Sequence, residues 1–388
     1  MGSGAVSVPW REIDRQPMPS PRPPVTIPLY RPDFTGDDAR ACLSQLARAP
    51  FVDAGAARAW EAGWERLWER RAVAFASHDE ALGAVKGLFG WRSGDVVAVD
   101  PLLDPAWIEA LEANWLHAAW RDVDPVTGWA LGGPLARAEG SGVTRAVVTH
   151  HPFGLPVPGP DSGVEARHDA GDGARQVGLP DTAPVILEEI SAIVHPLPGI
   201  GQGRIQMVNL EGPRILPVGV GCVLLSTDEP LIEALRKRRS RPPGGPACAL
   251  GCALLASLPG RLERRAELAG RYLALRLRGL GTLPAQGAHG RTWELFHLMM
   301  RDARTCSALR HFLQRSGIGC ATPVWFAPRL PQGILLPGLH ALQTRALALP
   351  LHAALTNPES KRIVNRIHRW AERYGRSQPP PHDDASPP

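Results

Sequence analysis

The sequence predicts an α/β protein: a three-layer αβα major domain around a mostly parallel sheet, then a small C-terminal α+β domain. Short apolar runs alternate with segments of helical period through the first two thirds of the chain, the pattern of strand–helix–strand units. A long helical stretch from about residue 245 separates that region from a shorter one of different organisation. The 388 residues are enough to bury more than one core.

Residues 1–26 are rich in Pro and Ser without periodicity and read as a flexible arm, as do 377–388 at the other end. The large domain is expected over 27–245, and a linking helix with the small domain over 246–376. Trp60, Trp64, Leu67 and Trp68 recur at helical spacing and predict a core-facing stripe. Ala72 to Ala76 is a short apolar strand, Glu80 to Phe89 a helix and Asp95 to Asp100 a second strand. Trp107 to Leu116 reads as a helix, and Trp120 to Val123 and Thr144 to Thr149 as strands. Residues 157–183, rich in Gly, Asp and Pro, look like an insertion or a degraded helix. Pro184 to Glu188 and Gly221 to Ser226 are further strands, and the long helix runs through Arg264 to Leu275. From Arg291 onward the small domain follows, ending in a helix over Ser360 to Tyr374.

Composition excludes several function classes. Hydrophobic residues at 44% and charged residues at 21% are ordinary for a globular protein. The net charge of +5, from 43 Lys+Arg against 38 Asp+Glu, is a weak excess over this length. Its densest basic run, Arg236-Lys237-Arg238-Arg239 with Arg241, follows the amphipathic stretch Leu231 to Leu235 and reads as a solvated helix end. Without aromatic interleaving or finger spacing, no nucleic-acid partner is expected. Cys248 and Cys252 lie at i,i+4, but no His or second Cys pair completes a zinc set, so they read as small core residues in a reducing compartment. The histidines show no paired spacing, and no metal is expected. There is no apolar leader and no run of 18 apolar residues, so no membrane span is expected and the cytoplasm is the default location. Gly199-Ile-Gly201-Gln-Gly203 lacks a strand-turn-helix context and reads as a plain loop. Glu188 and Glu189 are adjacent on a strand and point to opposite faces, so they do not share a site.

The order of several motifs carries a resemblance. Ile27-Pro-Leu-Tyr-Arg-Pro32, Trp120-Arg-Asp-Val-Asp-Pro125 and Val148-Thr-His-His-Pro-Phe-Gly-Leu-Pro156 are similar to successive segments of the DegT family of nucleotide-sugar aminotransferases. So are Gly317-Ile-Gly319, Leu347-Ala-Leu-Pro-Leu-His352 and Leu355-Thr356 near the C-terminus. The resemblance spans residues 27 to 373 and implies the type I aminotransferase fold, a homodimer and pyridoxal phosphate (PLP) held by a lysine Schiff base.

Carried over residue by residue, the resemblance implies a degenerate cofactor site. Counting back from Gly219-Val-Gly221-Cys222, the Schiff-base lysine falls on Arg214. A guanidinium stays protonated and is no amine nucleophile, so Arg214 cannot form the imine. The aspartate that pairs with the pyridinium nitrogen aligns with Glu188, and the glutamine after it with Ser191. The phosphate cradle aligns with Ser77, His78 and Asp79, and another phosphate contact with Asn209. Asp79 puts a carboxylate where a helix N-terminus would favour an anion, and is expected to cap the helix. The ring-stacking aromatic aligns with Asp104.

The leading expectation is therefore a PLP-independent relative of the sugar aminotransferases, with no cofactor. It would act as a partner or scaffold, as a homodimer or a heterodimer with an active paralogue, or bind a sugar-like ligand in a residual cleft around His151, Glu188 and Arg214. Glu188 is expected to face that cleft and pair with Arg214. One alternative is a PLP-dependent aminotransferase using another lysine, for which only Lys86, Lys237 and Lys361 exist. The other is altered, PLP-free chemistry around Glu188 and Arg214, with His150 or His151 as acid–base partner.

Overall fold

The computed structural model describes residues 26–376, apart from 33, 49–50, 52, 133–135, 138–141, 159–183, 213, 288–289, 325–329 and 331–332. The arm before Thr26, the tail at 377–388 and most of the 157–183 segment lie outside the described residues.

The chain enters through helices α1 (Gly36–Arg48) and α2 (Ala54–Trp68). The Asp53 carboxylate starts α2 by accepting from the amides of Gly55 and Ala56, donors that a helix start leaves without partners. Strand β1 (Arg71–Phe75) is followed by α3 (His78–Leu88), β2 (Val96–Val99), α4 (Pro105–Ala113) and β3 (His117–Trp120). The short β4 (Ala136–Arg137), β5 (Thr144–His150), β6 (Val185–Glu189), β7 (Ile205–Asn209) and β8 (Cys222–Ser226) complete an eight-stranded sheet of order β1-β8-β7-β6-β5-β2-β3-β4. From β7 through β3 the neighbours run parallel; β8, β1 and β4 join antiparallel at the two sides.

Helices α5 (Glu229–Arg238) and α6 (Gly245–Leu273) complete the layers. Alternate residues of β1 enter different cores. Val73 and Phe75 pack with α3, α4 and α5, whereas Ala72 and Ala74 pack with α2 and α6. Strands β2, β7 and β8 are buried at every residue; β2 and β8 accordingly read as continuous apolar runs, whereas β7 buries Gln206 and Asn209. The three-layer α/β class is the expected one. The Trp60, Trp64 and Trp68 stripe is buried in the second of these cores, with Leu67 partly buried beside it.

The last third carries an antiparallel sheet, β11-β10-β9, built from β9 (Gly281–Thr282), β10 (Phe296–Met300) and β11 (Ala346–Leu349). Its core includes residues from α7 (Ala303–Arg315) and α9 (Asn357–Arg376), while α8 (Pro337–Arg345) leads into β11. Helix α6 joins the two parts: Leu254 and Leu258 enter the large core, Leu268 and Tyr272 the small one.

The structure corrects several local readings. The strand expected at Trp120 to Val123 lies earlier, at His117–Trp120, because its partner β2 ends at Val99. The Arg121 amide still reaches the Val99 carbonyl, but beyond it Val123 only bridges Ala130. In the Ile27–Pro32 motif, Ile27 alone makes a bridge, to Ile318. Strand β7 had no counterpart in the sequence reading. The basic run is not merely a solvated helix end: Arg236 and Arg239 both turn inward to the fully buried Glu61 and to the carbonyls of Ala72 and Ala74. They tie α5 to α2 and β1 with charge. Among the described residues no helix is long and apolar enough to cross a membrane, and no cluster of potential metal ligands is present.

Gly251 on α6 makes the α2 contact possible. A Cβ there would lie 2.4 Å from Trp60 Nε1 and 2.5 Å from Trp60 Cε2, inside the indole. Gly251→Ala is expected to destabilise the protein by about 1–3 kcal/mol through overpacking, measured by urea unfolding, despite the better helix propensity of Ala.

Candidate functional site

Strands β6, β5 and β2 are parallel neighbours, so their carboxyl ends meet on one edge, where open α/β sheets place ligands. Each ends in a titratable group. Glu189 closes β6, His150 closes β5, and Asp100 follows β2. His150 Nδ1 lies 3.3 Å from Asp100 Oδ1, and Asp100 is fixed further by accepting from the Leu102 amide at 2.9 Å. Burial works against the charged imidazolium, but Asp100, then Glu189 and Glu294, outweigh it and hold His150 above its ordinary pKa. Burial likewise opposes ionisation of Asp100, yet His150, Arg121 and the Leu102 amide keep it below the usual carboxylate range.

Arg214, on the link from β7 to β8, reaches across this edge. It donates to Asp104 Oδ2 at 2.6 Å and to Glu294 Oε1 at 3.0 Å. Asp104 also caps α4, its Oδ1 accepting from the Ala106 amide at 2.9 Å. Glu294 belongs to the segment entering β10, so the ion pairs bridge the two sheets. Burial would lower the Arg214 pKa, but Glu294, Asp104 and Glu189 outweigh it and raise it. Arg265 of α6 holds the Glu294 segment by donating to the carbonyls of Trp293, Glu294 and Leu351 at 3.3, 3.1 and 2.9 Å. Between these groups lies a cavity of about 80 Å³ whose polar wall includes Tyr30, Asp104, His150, Arg214, Arg265 and Glu294.

Not all of the residues singled out in the sequence come to this cleft. Glu188 does not face Arg214. Its carboxylate accepts from the amides of Gly201 and Gly203 at 2.8 and 2.9 Å and lies 3.1 Å from His151 Nε2. His151 Nδ1 accepts from the Val157 amide, so Nε2 carries the proton offered to Glu188. His151 and Glu188 thus form a buried knot with the glycine loop, and neither lines the cavity. The pleat puts Glu189 on the Arg214 side instead. Its carboxylate accepts from Trp107 Nε1 at 2.6 Å and from the Ser191 amide at 3.0 Å.

At the head of α3 the N-cap is Ser77, whose Oγ accepts from the Glu80 amide, and not Asp79, which is exposed. The His78 amide donates to Glu211 Oε1 at 3.3 Å, so a second carboxylate sits at this helix start. The His78 ring packs edge-on to Trp107 at 4.7 Å, and burial, then Arg214, push its pKa down to about 3. Ser191 and Asn209 are buried behind it: the Asn209 amide donates to Ser191 Oγ, and Asn209 Oδ1 accepts from the Glu211 amide. Sequence reasoning missed Asp100, Glu189, Glu211, Arg265 and Glu294 as site residues. Asp100 and Glu189 carried a signal, a charged residue closing an apolar strand; Glu294 carried none.

No protein-family model and no curated protein matches the chain. Solved structures do. TlmJ, an aminotransferase from Streptoalloteichus hindustanus, superposes with a TM-score of 0.73 at 21% identity, over 90% of this chain and 100% of that one. The sugar aminotransferase Spr1654 from Streptococcus pneumoniae in its PMP form gives 0.72 at 14% identity, over 89% and 98%. Helicobacter pylori PseC, an aminotransferase of pseudoaminic acid biosynthesis, gives 0.70 at 15%, over 89% and 99%. The fold is that of the sugar aminotransferases.

That fold raises PLP, and the residues present do not fit it. An imine needs an amine. The three lysines of the chain lie on helices: Lys86 on α3, its Nζ on the Asn114 carbonyl, and the exposed Lys237 and Lys361 on α5 and α9. A phosphate at the α3 N-terminus would meet Asp79 and Glu211. The cavity of about 80 Å³ is small beside the roughly 300–1,000 Å³ of pockets that enclose a cofactor-sized molecule.

The charges at the strand ends give the fold a pH signature. Asp100 is depressed, so its contribution is complete above about pH 4 and fades as pH falls through its folded pKa. His150 is raised, so its contribution is complete below about pH 6.5 and fades as pH rises through its folded pKa. Asp100→Asn is expected to cost about 1–3 kcal/mol near pH 5–6, less in stronger acid and less in base, read by urea unfolding across pH.

Proposed function

We propose that this chain is a PLP-independent relative of the sugar aminotransferases, whose cleft binds a small sugar-like molecule. The observation that carries this reading is Arg214, locked between Asp104 and Glu294 where the resemblance calls for a lysine amine. A guanidinium in two ion pairs offers neither a nucleophile nor a free position for an aldehyde. The carboxylates at the head of α3 support the reading, since they disfavour a phosphate there. In this reading the chain works in a sugar or secondary-metabolite pathway as a homodimer, or as a heterodimer with an active paralogue that supplies the transamination.

The competing reading is a PLP-dependent aminotransferase of nucleotide sugars, favoured by the fold it shares with TlmJ, PseC and the PMP form of Spr1654. An absorbance spectrum of the purified protein, before and after adding PLP, separates the two when followed by borohydride and mass spectrometry. The expected outcome is no visible internal-aldimine band and no pyridoxyl adduct. A band with a reduced adduct on Lys86, Lys237 or Lys361 would restore the aminotransferase.

A further inference from the structure

We propose that His150, oriented by Asp100, is a general acid–base centre in the cleft for a small neutral molecule bearing a carbonyl and neighbouring hydroxyls, a keto sugar of triose size. The inference deepens the PLP-free reading of the same cleft and rests on it.

Position is the first support. Asp100 and His150 stand at the carboxyl ends of adjacent parallel strands, and His150 lines the cavity while Asp100 is 1% exposed behind it. Asp100 takes Nδ1, so Nε2 is the ring nitrogen left for the cavity. Asp100 cannot turn away easily, because the Leu102 amide holds the same Oδ1 and Arg121 supplies a second charge. This is the arrangement a base needs: a ring in one tautomer, aimed by a fixed carboxylate, with its second nitrogen facing the space a ligand can occupy.

Charge balance gives the ligand class. Arg214 is matched by Asp104 and Glu294, His150 by Asp100, and Arg265 sits among backbone carbonyls. Among the described residues in and behind the wall, the positive charges of Arg214, Arg265 and His150 are balanced by the negative charges of Asp104, Glu294 and Asp100, so a neutral polar molecule suits it. The cavity of about 80 Å³ limits it to a few heavy atoms.

The step is enolisation. Nε2 takes the proton from the carbon beside the carbonyl; that C–H bond breaks and an N–H bond forms. The electron pair becomes the C=C bond of an enediolate, and the negative charge goes to the carbonyl oxygen. Returning a proton from Nε2 to carbon reverses the step, and nothing is oxidised or reduced overall.

The test is deuterium wash-in from D2O into 1,3-dihydroxyacetone, read by proton NMR with the full chain. Exchange well above protein-free buffer is expected, and His150→Gln should reduce it by about 100-fold or more. Asp100→Asn should lower the rate and move the pH–rate midpoint downward, because it removes the main negative charge beside His150 and leaves Glu189 and Glu294, set against the positive Arg214 and Arg265 of the same cavity. Rescue of the midpoint by Asp100→Glu would mark Asp100 as a positioning residue. Should His150→Gln fail to fold by circular dichroism, diethylpyrocarbonate on the wild type replaces it. Carbethoxylation mapped to His150 should abolish exchange, and dihydroxyacetone should slow it. Wild-type exchange at the buffer rate, or exchange undiminished once His150 is replaced or modified, overturns the proposal. The pyridoxyl experiment reads lysines and this one reads His150, so either reading can fail alone.

Discussion

A guanidinium largely withdrawn from water needs counter-charge, and Arg214, whose side chain is 13% exposed, finds it on both sides of the cleft. Asp104 comes from the strand-end edge of the large sheet, and Glu294 from the segment entering β10. Each partner has a second task. Asp104 caps α4, and the Glu294 backbone is held by Arg265 from the helix that links the two cores. Removing Arg214 would leave both carboxylates without their shared partner, which is costlier than losing a surface ion pair. The network ties the strand-end edge of the large sheet to the segment that enters the small one.

The same economy of charge recurs elsewhere. Of 43 Lys+Arg, three are lysines, which leaves 40 arginines. A guanidinium can donate to several acceptors at once without losing its charge, so it suits buried junctions where an ammonium would not. Arg236 and Arg239 clamp Glu61 and two strand carbonyls, and Arg261 pairs with the buried Asp38 to hold α1 on α6. In such a chain the arginine at the centre of the cleft is one instance of a wider preference.

The contrast between Glu188 and Glu189 shows how narrowly the site is built. One step along β6 separates a carboxylate wrapped by glycine amides and His151 from one that faces the indole of Trp107 and the field of Arg214. The glycine loop presents its amides to the protein's own carboxylate. A side chain at Gly203 would collide with Glu188, its Cβ lying 2.7 Å from that of Glu188. The loop is therefore a support for β6, and the charged groups at the edge include Asp100, His150, Glu189 and Arg214.

The amino-acid sequence by itself determined the alternation of apolar strands and helices, the tryptophan stripe of α2 and the long helix between two cores. These are local or counted along the chain, and local periodicity follows directly from where side chains point on a strand or helix. It also determined that Glu188 and Glu189 diverge. Only the tertiary structure decided which of the two faces the cleft, because a period of two fixes alternation and leaves the choice of face to packing. The partners of Arg214 lie 110 and 80 residues away, and those of Glu61 up to 178, and no spacing rule connects such positions. Asp100 and His150 are 50 residues apart and meet because β2 and β5 are neighbours in the sheet, although β3 and β4 come between them in the chain.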